Sequence, residues 1–168
     1  MLRRLPERLD VAQFVRAHES MSGVAAYDDF SRIAAECSGG GDVAWSIAGL
    51  VDAEGVCWLT LEAEAALRMP CQRCLTDVEV DVRSRSRFRL VFAGEQWGDE
   101  DLEDDSFEAL EIDGPLDLKA LVEDEVLLAL PSVALHERCD MPGAQENADD
   151  LKAVRPSPFA VLGKLKRA

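Results

Sequence analysis

Residues 56–92 read VCWLTLEAEAALRMP, then CQRC, then LTDVEVDVRSRSRFRLVF, and this stretch decides the fold. In the second half Val78, Val80, Val82, Ser84, Ser86, Phe88, Leu90 and Phe92 alternate with Glu79, Asp81, Arg83, Arg85, Arg87 and Arg89. A period of two places these sets on opposite faces of one long strand. In the first half Cys57, Leu59, Leu61, Ala63, Ala65 and Leu67 share a side, which predicts a second strand that Pro70 ends. The CQRC between them is then the turn of a long hairpin. Cys71 and Cys74 are two residues apart, and a tight turn at that spacing points both sulfurs the same way.

A second pair with the same gap lies at His136 and Cys139, with 61 residues between Cys74 and His136. The pattern C-x2-C…H-x2-C offers three sulfurs and one imidazole, a full tetrahedral set for structural zinc. Three thiolates, a neutral imidazole and a dication sum to a charge of about −1, which a surface site tolerates. The competing reading is a free dithiol at Cys71 and Cys74, with His136 and Cys139 only packing or meeting solvent. A redox CxxC opens a helix in a βαβ setting, whereas this one tops a hairpin. A catalytic zinc needs an open position that four protein ligands do not leave. Cys37 and Cys57 read as core residues, and His18 as a solvent-facing one.

Outward from the hairpin, residues 42–51 alternate Val43, Trp45, Ile47 and Gly49 against Ala44, Ser46, Ala48 and Leu50, a third strand joined by a turn at 52–55. Before it, residues 9–18 are loosely helical, a glycine turn falls at Ser22-Gly23, and a brief strand runs through 24–27. Asp28 or Asp29 is the expected cap of a helix through Phe30, Ile33 and Ala34, and Gly39, Gly40 and Gly41 form a flexible break. After the hairpin, residues 107–112 suggest a short strand. Asp117 is the expected N-cap of a helix through Leu118, Leu121, Val122, Val126 and Ala129, and Pro131 stops it. Leu127, Leu128 and Leu130 widen its apolar side, predicting a last turn buried nearly all round. The fold class is α+β: a largely antiparallel sheet, a long hairpin with a CxxC turn, and a late packed helix. A single domain is expected over 1–139 with an acidic loop at 94–106, a linker at 140–158, and a basic amphipathic tail at 159–168.

Charge sorts the function classes. The chain of 168 residues has a formal net charge of −15. From Glu95 to Asp113 there are ten acids and no base, so the rest is nearly balanced. Phosphate neutralisation needs clustered Lys and Arg. The only basic surface of the body is the stripe Arg83, Arg85, Arg87 and Arg89, about 20 Å long on one strand face. Arginine suits phosphate through its planar fork. The competing reading pairs the stripe with the acidic loop or with acids on a neighbouring strand. Trp45, Trp58 and Trp97 form no stacking platform. No nucleophile–base pair, glycine-rich phosphate loop or HExxH is present, so no enzyme is expected. No run of 18 apolar residues marks a membrane span, and the start carries charge without an apolar signal core. A reducing compartment is therefore expected, where cysteines bind metal or lie buried.

Cys71-Gln72-Arg73-Cys74-Leu75, the run Val122-Glu123-Asp124-Glu125-Val126-Leu127-Leu128-Ala129-Leu130-Pro131, His136 with Cys139, and the ending Pro156-Ser157-Pro158-Phe159-Ala160-Val161-Leu162 occur in this order. In order and spacing the last 100 residues or so resemble the YceD family, the large ribosomal RNA subunit accumulation proteins. Ser157 stands where an Asn is usual, and the first 60 residues are only loosely similar. The resemblance implies a bacterial cytoplasmic protein needed for synthesis, processing or stability of 23S ribosomal RNA, without a known catalytic activity. It also implies a gene beside that of a small large-subunit ribosomal protein, which hints at a protein partner.

Three functional expectations follow. The acidic residues Asp99, Glu100, Asp101, Glu103, Asp104 and Asp105 engage a basic ribosomal protein on a large ribosomal subunit precursor. Alternatively, Arg83, Arg85, Arg87 and Arg89 contact 23S rRNA, helped by Lys164, Lys166 and Arg167. A third reading is a zinc-stapled interaction module that regulates a neighbouring metabolic enzyme and has no direct RNA role.

Overall fold

Period-two stretches become strands here, and the hairpin they build is the longest feature of the molecule. The structure is a computed structural model that describes residues 5–95 and 106–142. In chain order it contains α1 (Val11–Arg16), β1 (Ser20–Ala25), a 3-10 turn (Tyr27–Asp29), α2 (Ser31–Glu36), β2 (Gly39–Gly40), β3 (Val43–Val51), β4 (Cys57–Pro70), β5 (Asp77–Phe92), β6 (Glu108–Ile112) and α3 (Leu118–Ala129). The six strands form one sheet in the order β1-β3-β4-β5-β6, with β2 also on β4. β4 and β5 run antiparallel from Pro70 against Asp77 to Trp58 against Arg89. The expected α+β class, with its long hairpin and late helix, is borne out.

The alternation assigns the faces as read. Val43, Trp45 and Ile47 of β3, Leu59, Leu61, Ala63, Ala65 and Leu67 of β4, and Val82, Phe88 and Leu90 of β5 are buried in one cluster. Phe14 and Val15 of α1, Ile33 of α2, and Leu118, Val122 and Val126 of α3 join them from the helices. Fully burying one such side chain contributes about 1.5–3 kcal/mol. Gly49 sits on the buried face of β3 under α1, where an added Cβ would lie 2.7 Å from Val15 Cα. Only glycine permits that approach. The opposite sheet face carries Ala44, Ala48, Glu62, Glu64, Arg83, Arg85 and Arg87, all exposed.

Several local expectations change. The turn after α1 falls at His18, not at Ser22-Gly23, which lie inside β1. His18 adopts φ +50, and the amides of His18 and Glu19 reach back to Val15 and Phe14 carbonyls at 3.1 Å each. This is the closing pattern usually given to glycine, so its customary sequence mark is missing. His18 is exposed, as expected. The 39–41 break is instead bonded to the sheet: Gly39 and Gly40 pair with Arg68 and Leu67, beyond the end of β3 on the same strand. β6 forms as expected at 108–112, but runs parallel to β5.

Helix α2 has no side-chain N-cap of its own, so neither Asp28 nor Asp29 caps it. Glu123 of α3 does this from a distance. Its Oε1 accepts the amide of Arg32 at 2.6 Å and that of Ile33 at 3.3 Å, while Oε2 accepts Arg32 Nε at 3.0 Å. Arg32 also pairs with Asp124. Glu125, likewise buried, accepts hydrogen bonds from the hydroxyls of Ser84 and Ser86. That accounts for two serines on the inner face of β5. Asp117 caps α3 as expected, accepting Ala120 N at 3.0 Å. The last turn is not buried all round: Leu128 is 75% exposed. The acids Glu123 and Glu125 take inward positions, so the helix is turned away from that leucine.

Asp99 to Asp105, Trp97, the 143–158 part of the linker and the 159–168 tail lie outside the described residues. No helix among the described residues is long and apolar enough to cross a membrane.

Candidate metal centre

The turn that joins β4 to β5 is built to present sulfur. Cys71 N donates to the Thr76 carbonyl at 2.8 Å, and Leu75 N returns to the Cys71 carbonyl at 2.9 Å. Leu75 takes φ +63 to close this loop. The second half of the site returns from α3. Leu130 leaves the helix extended, Pro131 prevents its continuation, and the chain runs to the hairpin tip. There the Gln72 amide donates to Ala134 O at 2.9 Å. Gln72 Nε2 donates to Ser132 O at 3.2 Å, and Arg73 Nη1 to Cys139 O at 3.3 Å.

These bonds bring together the four residues the sequence singled out. One ligand atom each from Cys71, Cys74, His136 and Cys139 lies within 4.8 Å of every other. Cys71 Sγ is 3.7 Å from Cys139 Sγ, and Cys74 Sγ is 3.3 Å from His136 Nδ1. A tetrahedral zinc with bonds of about 2.3 Å to sulfur and about 2.0 Å to nitrogen has edges of roughly 3.8 Å and 3.5 Å. A disulfide needs about 2.05 Å, and all five cysteines are free.

The surroundings suit a metal too. His136 Nε2 lies 3.0 Å from the Asp77 carbonyl. A carbonyl only accepts, so Nε2 carries the hydrogen and Nδ1 presents its lone pair to the cluster. Metal-bound imidazoles are commonly oriented by such a second partner. Burial pushes the Cys71 thiol up, but the amides of Cys74, His136 and Arg73, with the His136 ring, outweigh it and hold the thiol at about 5. Cys74 is drawn down by the Thr76 hydroxyl and amide. His136 is raised by Cys71 and Cys74 beside it. Cys139 is raised, by burial first and then by the neighbouring sulfurs. Three thiolates this close repel one another, and a dication between them removes the conflict.

The arginine stripe lies on the sheet face opposite the helices, with partners. Arg85 Nε is 3.2 Å from Glu62 Oε1 on β4. Arg87 stacks 3.8 Å over the Trp58 ring, which packs nearly perpendicular to Phe107 with ring centroids 5.1 Å apart. Arg83 stands opposite Glu64 in register. Sequence reading weighed acids on a neighbouring strand as partners, and Arg85 has one. It missed the Trp58 stack, although Trp58 and Arg87 share a face two strand positions from alignment. It also missed the buried Glu123 and Glu125, whose signal was two acids inside an apolar helix pattern.

Fold and site together define a class: a sheet-built protein whose long hairpin carries three sulfurs and one imidazole close enough to hold a metal ion, the set being closed by the segment after α3. The family model of the large ribosomal RNA subunit accumulation protein YceD matches residues 59–166, and the chain belongs to that family. A curated relative from Haemophilus influenzae, itself described as large ribosomal RNA subunit accumulation protein YceD, is 34% identical over 107 residues. The match covers 59% of each chain, so this chain spans about three fifths of that relative's length. No solved structure matches.

Proposed function

We propose that this protein is a non-catalytic factor of large-subunit assembly that supports the synthesis, processing or stability of 23S ribosomal RNA in the bacterial cytoplasm. The observation that carries the reading is the family match over residues 59–166, which contains the hairpin, α3 and all four cluster residues. The family description speaks of RNA accumulation and of no reaction. It lends nothing to the reading as a regulator of a metabolic enzyme. Cys71, Cys74, His136 and Cys139 would hold zinc, which supplies charge neutralisation and a cross-link rather than catalysis, since four protein donors leave no open position. The centre ties the hairpin to the segment after α3 and so fixes the scaffold.

The contact surface is acidic. A chain at −15 is repelled by bare RNA at long range and attracted to basic ribosomal proteins. Asp99, Glu100, Asp101, Glu103, Asp104 and Asp105 are the residues for that contact. A second reading has one observation in its favour: Arg83, Arg85 and Arg87 are exposed on one face. With Arg89, Lys164, Lys166 and Arg167 they would contact 23S rRNA, and binding would then weaken steeply with salt.

Tagged protein recovered from its own cells at low and moderate salt tests both. Precursor large subunits or a basic ribosomal protein are expected in the eluate, and neutralising the six acids should remove them. Loss on replacing the four arginines, with the acid variant intact, favours the RNA reading. Protein free of ribosomal material at both salts overturns the proposal.

A further inference from the structure

A groove of about 410 Å³ runs between β6 and α3. Its floor and walls include Phe88, Leu121, Leu127 and Leu128, and its rim Glu108 and Asp124, the second already paired with Arg32. Among the described residues β6 is the last strand of the sheet on that side. Leu128, 75% exposed, stands at the groove's edge. A leucine-lined channel beside a sheet edge is a feature that soluble proteins usually cover.

We propose that this groove seats the chain's own C-terminal segment, residues 159–167. That segment joins apolar Phe159, Val161, Leu162 and Leu165 to basic Lys164, Lys166 and Arg167. The pattern matches leucine walls under a carboxylate rim. The other segment near the groove in sequence, residues 96–105, carries six acids and no base, and the same rim repels it. A second apolar surface surrounds the metal centre, with Leu75, Val133, Leu135 and Met141 exposed. Arg73 and Arg138 beside those residues in sequence are balanced by Glu137 and Asp140, so that surface offers the tail's cations no net attraction.

Chain length allows the fit. The described chain stops at Pro142, and 16 residues separate it from Phe159. A random-coil chain of 16 residues has a root-mean-square span of roughly 20–24 Å, and any chain of that length a limit of roughly 55 Å. Pro142 follows Cys139 at the hairpin tip by three residues, and Phe88 in the groove is 11 positions along β5 from Asp77 at that tip, about 36 Å, inside that limit though longer than the root-mean-square span. The family match extends to residue 166, so the tail lies within the same matched stretch as the hairpin and α3.

Zero-length carbodiimide coupling on the full chain tests the proposal, because it joins a lysine to a carboxylate only where the two touch. The expected products link Lys164 or Lys166 to Glu108 or Asp124 within one chain, and amides 159–165 exchange at least tenfold slower than a random coil. Leu128→Asp, at an exposed position, and Leu162→Asp in the tail should each cut the coupling at least fivefold. Products that join two chains in an isotope-mixed sample would show a second copy in the groove and overturn the inference. So would coupling unchanged by both variants, or coupling absent with tail amides exchanging at coil rates.

Discussion

Cys139 and Leu75 show what single residues contribute to the candidate metal centre. Cys139 closes the set from 65 residues beyond Cys74, and its carbonyl holds Arg73. Cys139→Ser should lower zinc affinity at least as far as the roughly 10–100-fold cost of removing an outer-sphere partner. Titration against a competing chelator measures it, with near-stoichiometric zinc expected in the wild-type chain. Leu75 carries the opposite kind of signature. It is 72% exposed and sits at φ +63, where an L side chain costs about 1–2 kcal/mol. Leu75→Gly should therefore stabilise the zinc-loaded protein by about 0.5 kcal/mol, after roughly 0.5–1 kcal/mol of added unfolded-state freedom. Leu75→Val, β-branched and worse in this conformation, should destabilise it by about 1 kcal/mol. Thermal unfolding reads both signs, and a gain from valine would contradict the backbone account.

At the scale of elements, helix and hairpin ends depend on acids placed far and near. Glu123 caps α2 from 90 residues away, and neither Asp28 nor Asp29 does. Glu123→Ala should cost about 2 kcal/mol, combining a lost cap with a lost charge-assisted bond, while Asp29→Ala stays within about 0.5 kcal/mol. Faster exchange at the amides of Arg32 and Ile33 in the first variant alone would mark the cause. The turn between β3 and β4 rests on Asp52. Its Oδ2 accepts Trp58 Nε1 at 2.8 Å, and its Oδ1 accepts Val56 N at 2.9 Å. The Trp58 indole, then the Val56 amide, hold its carboxyl below the usual carboxylate range. A depressed folded value means the contribution is present above the unfolded pKa of about 3.9 and is lost as pH falls through the lower folded one. Asp52→Asn should flatten the fall in stability below about pH 4, and an unchanged acid limb would contradict the assignment. The strands were legible because alternation is a local property of the chain. Glu123, the His18 turn and the parallel pairing of β6 were not, since each is set by partners distant in sequence or by a residue without its usual mark.

The whole molecule joins two halves of different legibility. The hairpin and the two thiols at its turn could be read from local pattern, because a CxxC falls between two period-two runs. That His136 and Cys139 would return was not readable, since 61 intervening residues impose no local constraint. Their return depends on α3 packing on β5 and on Pro131 releasing the chain toward the tip. Among the described residues the scaffold that results packs its helices on one sheet face and brings the four donor residues together at the hairpin tip. If that scaffold serves large-subunit assembly, cells without the protein should be short of 23S ribosomal RNA. The ratio of 23S to 16S ribosomal RNA in a deletion strain, resupplied with the wild-type chain or with Cys139→Ser, tests this directly. The account predicts a lowered ratio that the wild type restores and the variant restores poorly. A ratio unchanged by deletion would contradict it.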